Sequence, residues 1–408
     1  MGEKIPFLDV SSEIGKLKGV MLHRPGKELE RITPEYLHAL LFDDIPWLRR
    51  MQEEHDGFAE ALRARGCTVY YYEKLLEDIM KNKEVKKQLV CEVVENCGVA
   101  DPELEDMIKE FLIEKTEKEV TEIFIAGLHK KDFPNIKKKR LGDYIKEEYP
   151  FYINPLPNLY FTRDPGAVIG NGLSIHAMNT HARERETMIL KYLYDFHPIF
   201  QKESTPLLYD YSYKNPIEGG DILVLSEGVI AIGCSERTSA RAIEDLTMNL
   251  FEKNKNFKEV IAVQIPFKRS YMHLDTVLTM VDYDKFTIYP GVEDRLKAFR
   301  LTYGKIYPKV EVMKDLKTTF KKALGLSAVD FIQSGGGDEV TAAREQWNDS
   351  TNTLAIAPGV VITYNRNEAS NETLRKHGIE VVEIEGSELV RGRGGPRCMS
   401  MPLMREKI

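Results

Sequence analysis

The chain has 408 residues with 57 Lys and Arg against 64 Asp and Glu, a formal net charge of −7, which argues against nucleic acid or an anionic membrane as main partner. Hydrophobic residues at 42% and charged residues at 30% are those of a globular protein, and no stretch nears the roughly 18 consecutive apolar residues of a membrane span. Five scattered cysteines, no CxxC pair and no histidine at zinc-like spacing argue against a disulfide framework or a metal centre. The N-terminal MGEKIPFLDVSSEIG lacks an apolar signal core, so a cytoplasmic location is expected. The length allows two or three domains at about 150 residues each.

Taken in chain order, GVMLHRP (19–25) and CTVYYY (67–72) read as strands. From 73 to 148 Lys and Glu dominate and apolar residues fall at helical intervals: Val85, Leu89, Val90, Val93 and Val94 form one stripe. Asp101-Pro102 then caps a second helix through Leu104, Met107, Ile108, Phe111 and Leu112, and Thr116 with Glu119 forms a capping box for a third that ends at Gly127. The expected organisation is therefore a helical insertion domain at 73–148 within a main domain at 1–72 and 149–408. The run KKDFPNIKKKR (130–140) reads as a solvated charged face or linker.

Beyond 149 short β-branched runs return: DILVL (221–225), GVIAIG (228–233), EVIAVQIP (259–266), DTVLTMVD (275–282), KFTIYPG (285–291), TLAIAPGVVITYN (353–365) and IEVVEIEG (379–386). Turns at Ser226-Glu227-Gly228 and Pro358-Gly359 make hairpins, each followed by a helix-like stretch. The shared order suggests an internal ββαβ repeat, which would set short sheets radially around an axis.

Four polar clusters lie at strand ends, where sites are usually built. PNLYFTRDPG holds Asn158, Phe161, Arg163 and Asp164; its plain reading is a turn with a local Arg163–Asp164 pair. IEGGD places Glu218 and Asp221 around two glycines, and MHLDT puts His273 and Asp275 two apart, on one face if the segment is a strand. RGRGGPRCMSMP surrounds Cys398 with Arg391, Arg393 and Arg397, an electropositive setting expected to lower the thiol's pKa. A Cys and a His suffice for thiol catalysis, so the carboxylates are a surplus. Several acids in one site repel unless a cation balances them, and at an effective dielectric near 20 one opposite charge at 4 Å contributes about 4 kcal/mol. Guanidinium, a planar fork matched to carboxylates with a carbon open to thiolate attack, is the natural ligand.

Together PNLYFTRDP, IEGGD, MHLDT and GRGG-x-x-CMSMP, in this order and spacing, resemble the arginine deiminase family of the guanidine-modifying (amidinotransferase) superfamily, and the resemblance spans nearly the whole chain. It implies a five-bladed pseudo-symmetric α/β-propeller of ββαβ units with an inserted helical bundle. It implies hydrolysis of free L-arginine to citrulline and ammonia in arginine catabolism, with no metal or organic cofactor. Carried over residue by residue, Cys398 is the nucleophile that forms an amidino-thioether, and His273 is the general acid and then base. Asp164 and Asp275 grip the guanidinium, and Glu218 orients and charges His273. Asp221 is a supporting or substrate-contacting acid. Arg183 and Arg393 bind the carboxylate with help from Arg237, while neighbouring Arg185 competes with Arg183 for that role. Asn158 and the LLFDD loop (40–44) hold the α-amino group, with Phe161 and Gly392 lining the site. The LLFDD and GRGG loops are expected to close over substrate. Two alternatives stay open: another guanidine-modifying enzyme, such as an agmatine deiminase or amidinotransferase, and a non-catalytic arginine-binding module. The family implies a homo-oligomer, dimer or higher, with the helical insertion as a contact surface.

Overall fold

The computed structural model describes residues 8–99, 101–133, 149–200 and 204–408. Most of the basic run at 130–140 and the end of the expected helical insertion lie outside them. Among the described residues one arrangement recurs five times: two antiparallel strands, a helix, and a third strand parallel to the second. Gly166–Ile169 and Gly172–Ile175 pair and then Leu207–Tyr209 joins. Ile222–Ser226 and Val229–Cys234 are followed by Glu259–Gln264, and Leu278–Met280 and Lys285–Ile288 by Asp330–Gln333. Leu354–Ala357 and Val360–Tyr364 are joined by Glu380–Ile384. The last set is shared between the chain ends: Leu17–Leu22 lies between Met401–Arg405, antiparallel, and Thr68–Tyr71, parallel.

The helix in each set follows from that geometry, since a parallel strand can be reached only by crossing over the sheet. Leu48–Ala64, Glu184–Phe196, Ala240–Lys253, Leu316–Ala323 and Glu368–Lys376 make these crossings. Strands with both faces covered read as continuous apolar runs: Val229–Ile232 and Val260–Val263 are buried throughout. Only two of the five sets carry a hairpin and helix clear enough to be recognised in the sequence. The sheet of Ile222–Ser226, Val229–Cys234 and Glu259–Gln264 is extended by Lys297–Thr302 and Lys309–Val312, an exposed edge.

The helical segment starts earlier than the sequence suggests. Tyr72 ends no strand; it opens the helix Tyr72–Met80, followed by Lys83–Asn96, Pro102–Glu114 and Glu117–Ala126. The caps stand where the sequence puts them: the Asp101 carboxylate accepts from the Glu103 amide, Thr116 and Glu119 form a reciprocal capping box, and Gly127 ends the last helix with φ 80°. Leu76, Leu89, Val93, Ile108, Leu112 and Phe124 are buried in the cluster that also holds Ile169, Leu173 and Leu193, so helices and sheets share one core. Each such side chain contributes about 1.5–3 kcal/mol by burial. Among the described residues no helix is long and apolar enough to cross a membrane.

Candidate active site

Four of the polar clusters form short 3-10 turns: Pro157–Tyr160, Gly219–Asp221, Leu274–Thr276 and Leu389–Gly392. Each stands ahead of the first strand of a sheet, so the repeat delivers polar side chains to one place from distant parts of the chain. The expectation that His273 and Asp275 share the face of a strand is corrected here, because the strand begins only at Leu278 and the two side chains diverge from a turn. His273 and Cys398 form the wall of one cavity, while Asp275 is buried beside the Cys398 sulfur and does not line it.

That cavity is small and largely enclosed. Of the residues expected at the site, Asn158, Phe161, Asp164, Arg183 and Arg237 line it, as do His273, Gly392, Arg393 and Cys398. Leu41 of the LLFDD loop lines it too, in the left-handed region at φ 61°, and the Asn158 side-chain amide donates to the Leu40 carbonyl at 2.7 Å. Holding a non-glycine residue there costs on the order of 1–3 kcal/mol. Asp221 is brought elsewhere, against the reading of it as a substrate-contacting acid. It is fully buried off the cavity, with its oxygens taken by the Ser235 hydroxyl at 2.6 Å and the Leu274 amide at 2.7 Å. It thereby anchors the turn that carries His273. The two glycines before it permit close packing: a Cβ on Gly220 would lie 2.5 Å from His273 Nδ1, and one on Gly219 would lie 2.0 Å from the Arg163 carbonyl oxygen.

His273 and Cys398 are each only 4% exposed. His273 Nε2 is 2.8 Å from Glu218 Oε2, and Nδ1 is 3.9 Å from Asp164 Oδ1. Burial pulls the imidazole's pKa down, but Asp164, the Glu218 hydrogen bond and Asp221 outweigh it and push the pKa up to about 9. Glu218 is held well below the usual carboxylate range: desolvation opposes its charge, and Arg237, His273 and Arg183 overcome that. Arg237 Nη1 is 3.6 Å from Glu218 Oε1, to which the Asn179 amide also donates.

The thiol behaves against the sequence expectation. Cys398 Sγ lies 3.9 Å from Asp275 Oδ2, and burial together with Asp275, Asp164 and Asp349 raises its pKa well above the ordinary value. The three arginines around it in sequence are spent elsewhere. Arg397 pairs with Glu13 and Asp275, Arg391 pairs with Asp44 and Glu388, and Arg393 stacks on Trp347 with its guanidinium carbon 3.6 Å from the ring centroid.

The surplus of acids also has a different resolution. Arg183 Nη1 donates to Asp164 Oδ2 at 2.6 Å, Arg397 Nη1 to Asp275 Oδ2 at 2.7 Å, and Glu218 has His273 and Arg237. Resident cations therefore balance the carboxylates before any ligand arrives. What remains is one buried, unpartnered oxygen on each aspartate, Oδ1 of Asp164 and of Asp275. Arg163 does not pair with its neighbour Asp164; its Nε donates to the Arg397 carbonyl. Arg183 reaches the cavity, but its guanidinium is also held by Glu186 at 2.7 Å, whereas Arg185 turns away to the Asn154 carbonyl.

Two contributors escape sequence reasoning. Asn352 accepts the Cys398 amide on Oδ1 at 2.9 Å, and Asp349, at φ 57°, is buried with its pKa pushed up to about 7. Their signal is positional: NDSTN stands before the strand Leu354–Ala357 as IEGGD stands before Ile222–Ser226. Among the described residues Asp164, Glu218 and His273 form one group compact enough to hold a metal ion. Within that group His273 Nε2 is 2.8 Å from Glu218 Oε2, and Asp164 Oδ2 is held by Arg183 at 2.6 Å. The arrangement suits a planar cation with N–H groups: two fixed carboxylate oxygens, a thiol beside them and an imidazolium as proton donor.

A family model described as arginine deiminase matches residues 38–405. Arginine deiminase from Bacillus cereus (strain ATCC 10987 / NRS 248) is 48% identical over 407 residues, 98% of this chain and 99% of the relative. That from Streptococcus agalactiae serotype Ia is 49% identical over 405 residues, 98% of each. Among solved structures, SxtG, an amidinotransferase of saxitoxin biosynthesis from Microseira wollei, superposes with a TM-score of 0.57 at 13% identity, covering 99% of this chain and 98% of the other. The mixed α/β fold is thus shared with an enzyme of distant sequence.

Proposed function

The chain belongs to the arginine deiminase family, and on that premise we propose that it hydrolyses the guanidinium of free L-arginine to L-citrulline and ammonia. The observation that carries the reading is the cavity wall shared by Cys398, His273 and Asp164, with Asp275 next to the Cys398 sulfur and each aspartate keeping one carboxylate oxygen without a hydrogen bond. Those oxygens accept N–H groups of the guanidinium, leaving its central carbon to Cys398. Burial and nearby Asp275, Asp164 and Asp349 hold the thiol neutral, and the arriving cation adds positive charge beside it, so substrate binding favours loss of the thiol proton to solvent and leaves the thiolate. Sulfur attacks carbon, His273 gives its proton to the departing ammonia, and an amidino-thioether remains. Neutral His273 then takes a proton from water, whose oxygen adds to the same carbon and releases citrulline and the sulfur. Arg237 and Arg393 suit the substrate carboxylate and Asn158 with the Leu40–Leu41 backbone its amino group; Arg183 would have to loosen from Glu186 to join them.

The five repeated strand sets support a five-bladed α/β-propeller in which 1–72 and 149–408 carry the site and 73–148 is an insertion. All five cysteines are free thiols, which supports a reducing cytoplasm. Exposed Val310 and Val312 on the edge strand Lys309–Val312 favour self-association, read by light scattering. The chemistry is tested by assaying citrulline and ammonia from L-arginine beside agmatine and methylated arginines, with EDTA present. Equimolar products from arginine are expected. Product from agmatine or a methylated arginine alone would reassign the substrate. Cys398→Ala should bind arginine without releasing ammonia, and turnover by that variant would sink the thioether mechanism.

A further inference from the structure

Asp275 is held from behind by a group outside the cavity. Arg397 donates through Nη1 to Asp275, and the rest of its fork turns to the N-terminal segment: Nε and Nη2 donate to the two oxygens of Glu13, each at 3.1 Å, and Nη2 also donates to the Ile222 carbonyl at 2.6 Å. Glu13 is buried, and the Val224 amide donates to its Oε1 at 3.2 Å, which ties it to a sheet. It also faces two further buried guanidiniums, those of Arg163 and Arg405, which carry unpartnered N–H groups. The second aspartate is built the same way, with Arg183 bridging Asp164 and Glu186. Two separate stretches of chain thus repeat an Asp–Arg–Glu relay.

We propose that Glu13 is a positioning residue for the reaction, aiming Asp275 at the substrate guanidinium through Arg397. The inference rests on Asp275 gripping substrate, as read above. A bidentate grip fixes the plane of the Arg397 fork, and the fork fixes the Asp275 carboxylate so that one oxygen stays free. A misplacement near 1 Å at such a group can cost about 10²-fold in rate. Glu13 also neutralises charge close to the thiol. Cys398 faces the acids Asp275, Asp164 and Asp349, with Tyr160 and Tyr364 nearby and His273, Arg393 and Arg397 as cations. Removing the Glu13 charge leaves this surrounding more positive and eases thiolate formation.

The test is Glu13→Gln in the full chain, with active sites counted by titrating Cys398. Expected are a loss of about 10- to 100-fold in kcat/KM per active site and a shift of Cys398 alkylation by iodoacetamide to lower pH. Wild-type kcat/KM per site with an unmoved alkylation profile, even with a lowered Tm, would overturn the proposal by reducing Glu13 to a packing role. If Glu13→Gln does not fold, Glu13→Asp decides: it keeps the charge but is too short for both contacts, so reduced kcat/KM with a wild-type alkylation profile supports the relay, and unchanged kcat/KM refutes it. Alkylation needs no turnover. A chain that releases no citrulline from arginine would therefore defeat the functional reading while the alkylation profile still judged Glu13.

Discussion

His273 keeps a proton that burial alone would strip away, and the acids around it are the reason. With its pKa raised to about 9, the imidazolium is present throughout the neutral range, so kcat/KM is expected to fall as pH rises through about 9. Glu218→Gln keeps the shape but removes a charge and a charge-assisted acceptor. The alkaline limb should then move toward lower pH, seen in a kcat/KM profile; an unmoved limb would mean that another group governs it. The sign for stability follows from the same shift. Because the folded pKa lies above the ordinary 6.5, this group's contribution is complete below about 6.5 and is lost as pH rises toward 9. Glu13 works the other way: Arg397 and Arg163 outweigh desolvation and lower its pKa to about 2, so its contribution is present above about 4.5 and lost as pH falls toward 2.

At the scale of elements, short turns decide the chemistry and caps decide local stability. Gly220 lies against the His273 ring, where a methyl group would meet Nδ1, Cγ and Cβ at 2.5–2.8 Å. Gly220→Ala should cost about 1–3 kcal/mol by overpacking and displace the ring, so kcat should drop further than the change in Tm suggests. Thr116 is the contrast. Its hydroxyl accepts the Glu119 amide in a capping box far from Cys398 in sequence. Thr116→Ala should cost about 1 kcal/mol in denaturant unfolding and leave kcat/KM unchanged; altered kinetics would couple the helical segment to the site. The caps are legible in the sequence because they are local, each residue bonding to a partner four positions away or fewer. His273 and Asp275 were harder, since alternating polarity cannot distinguish a strand from a turn that feeds one.

At the scale of the whole molecule, the two ends of the chain complete one sheet. Met401–Arg405 pairs with Leu17–Leu22, the Arg405 amide donates to the Asp9 carbonyl at 2.8 Å, and Cys398 lies three residues before the closing strand. Truncation after Ser400 is expected to abolish cooperative thermal unfolding and activity together, because buried Met401 and Leu403 and a full edge of backbone pairing are lost. A truncated chain that unfolds cooperatively near the wild-type Tm would refute this dependence.

The sequence by itself determined the kinds of element, the caps at Asp101, Thr116 and Gly127 and the four clusters that carry Cys398, His273, Glu218, Asp164 and Asp275, because these depend on short-range periodicity and residue chemistry. Tertiary structure alone decided what those groups face. Arg397 and Arg391 are adjacent to Cys398 or nearly so in sequence, yet Arg397 pairs with Glu13 and Asp275 and Arg391 with Asp44 and Glu388, so the thiol's pKa rises where its sequence neighbours suggested it would fall. Asp221, Asn352 and Glu13 likewise acquire their roles only through partners brought together by folding. Electrostatic environment is set by distance in space and by exclusion of water, and neither can be read from spacing along the chain.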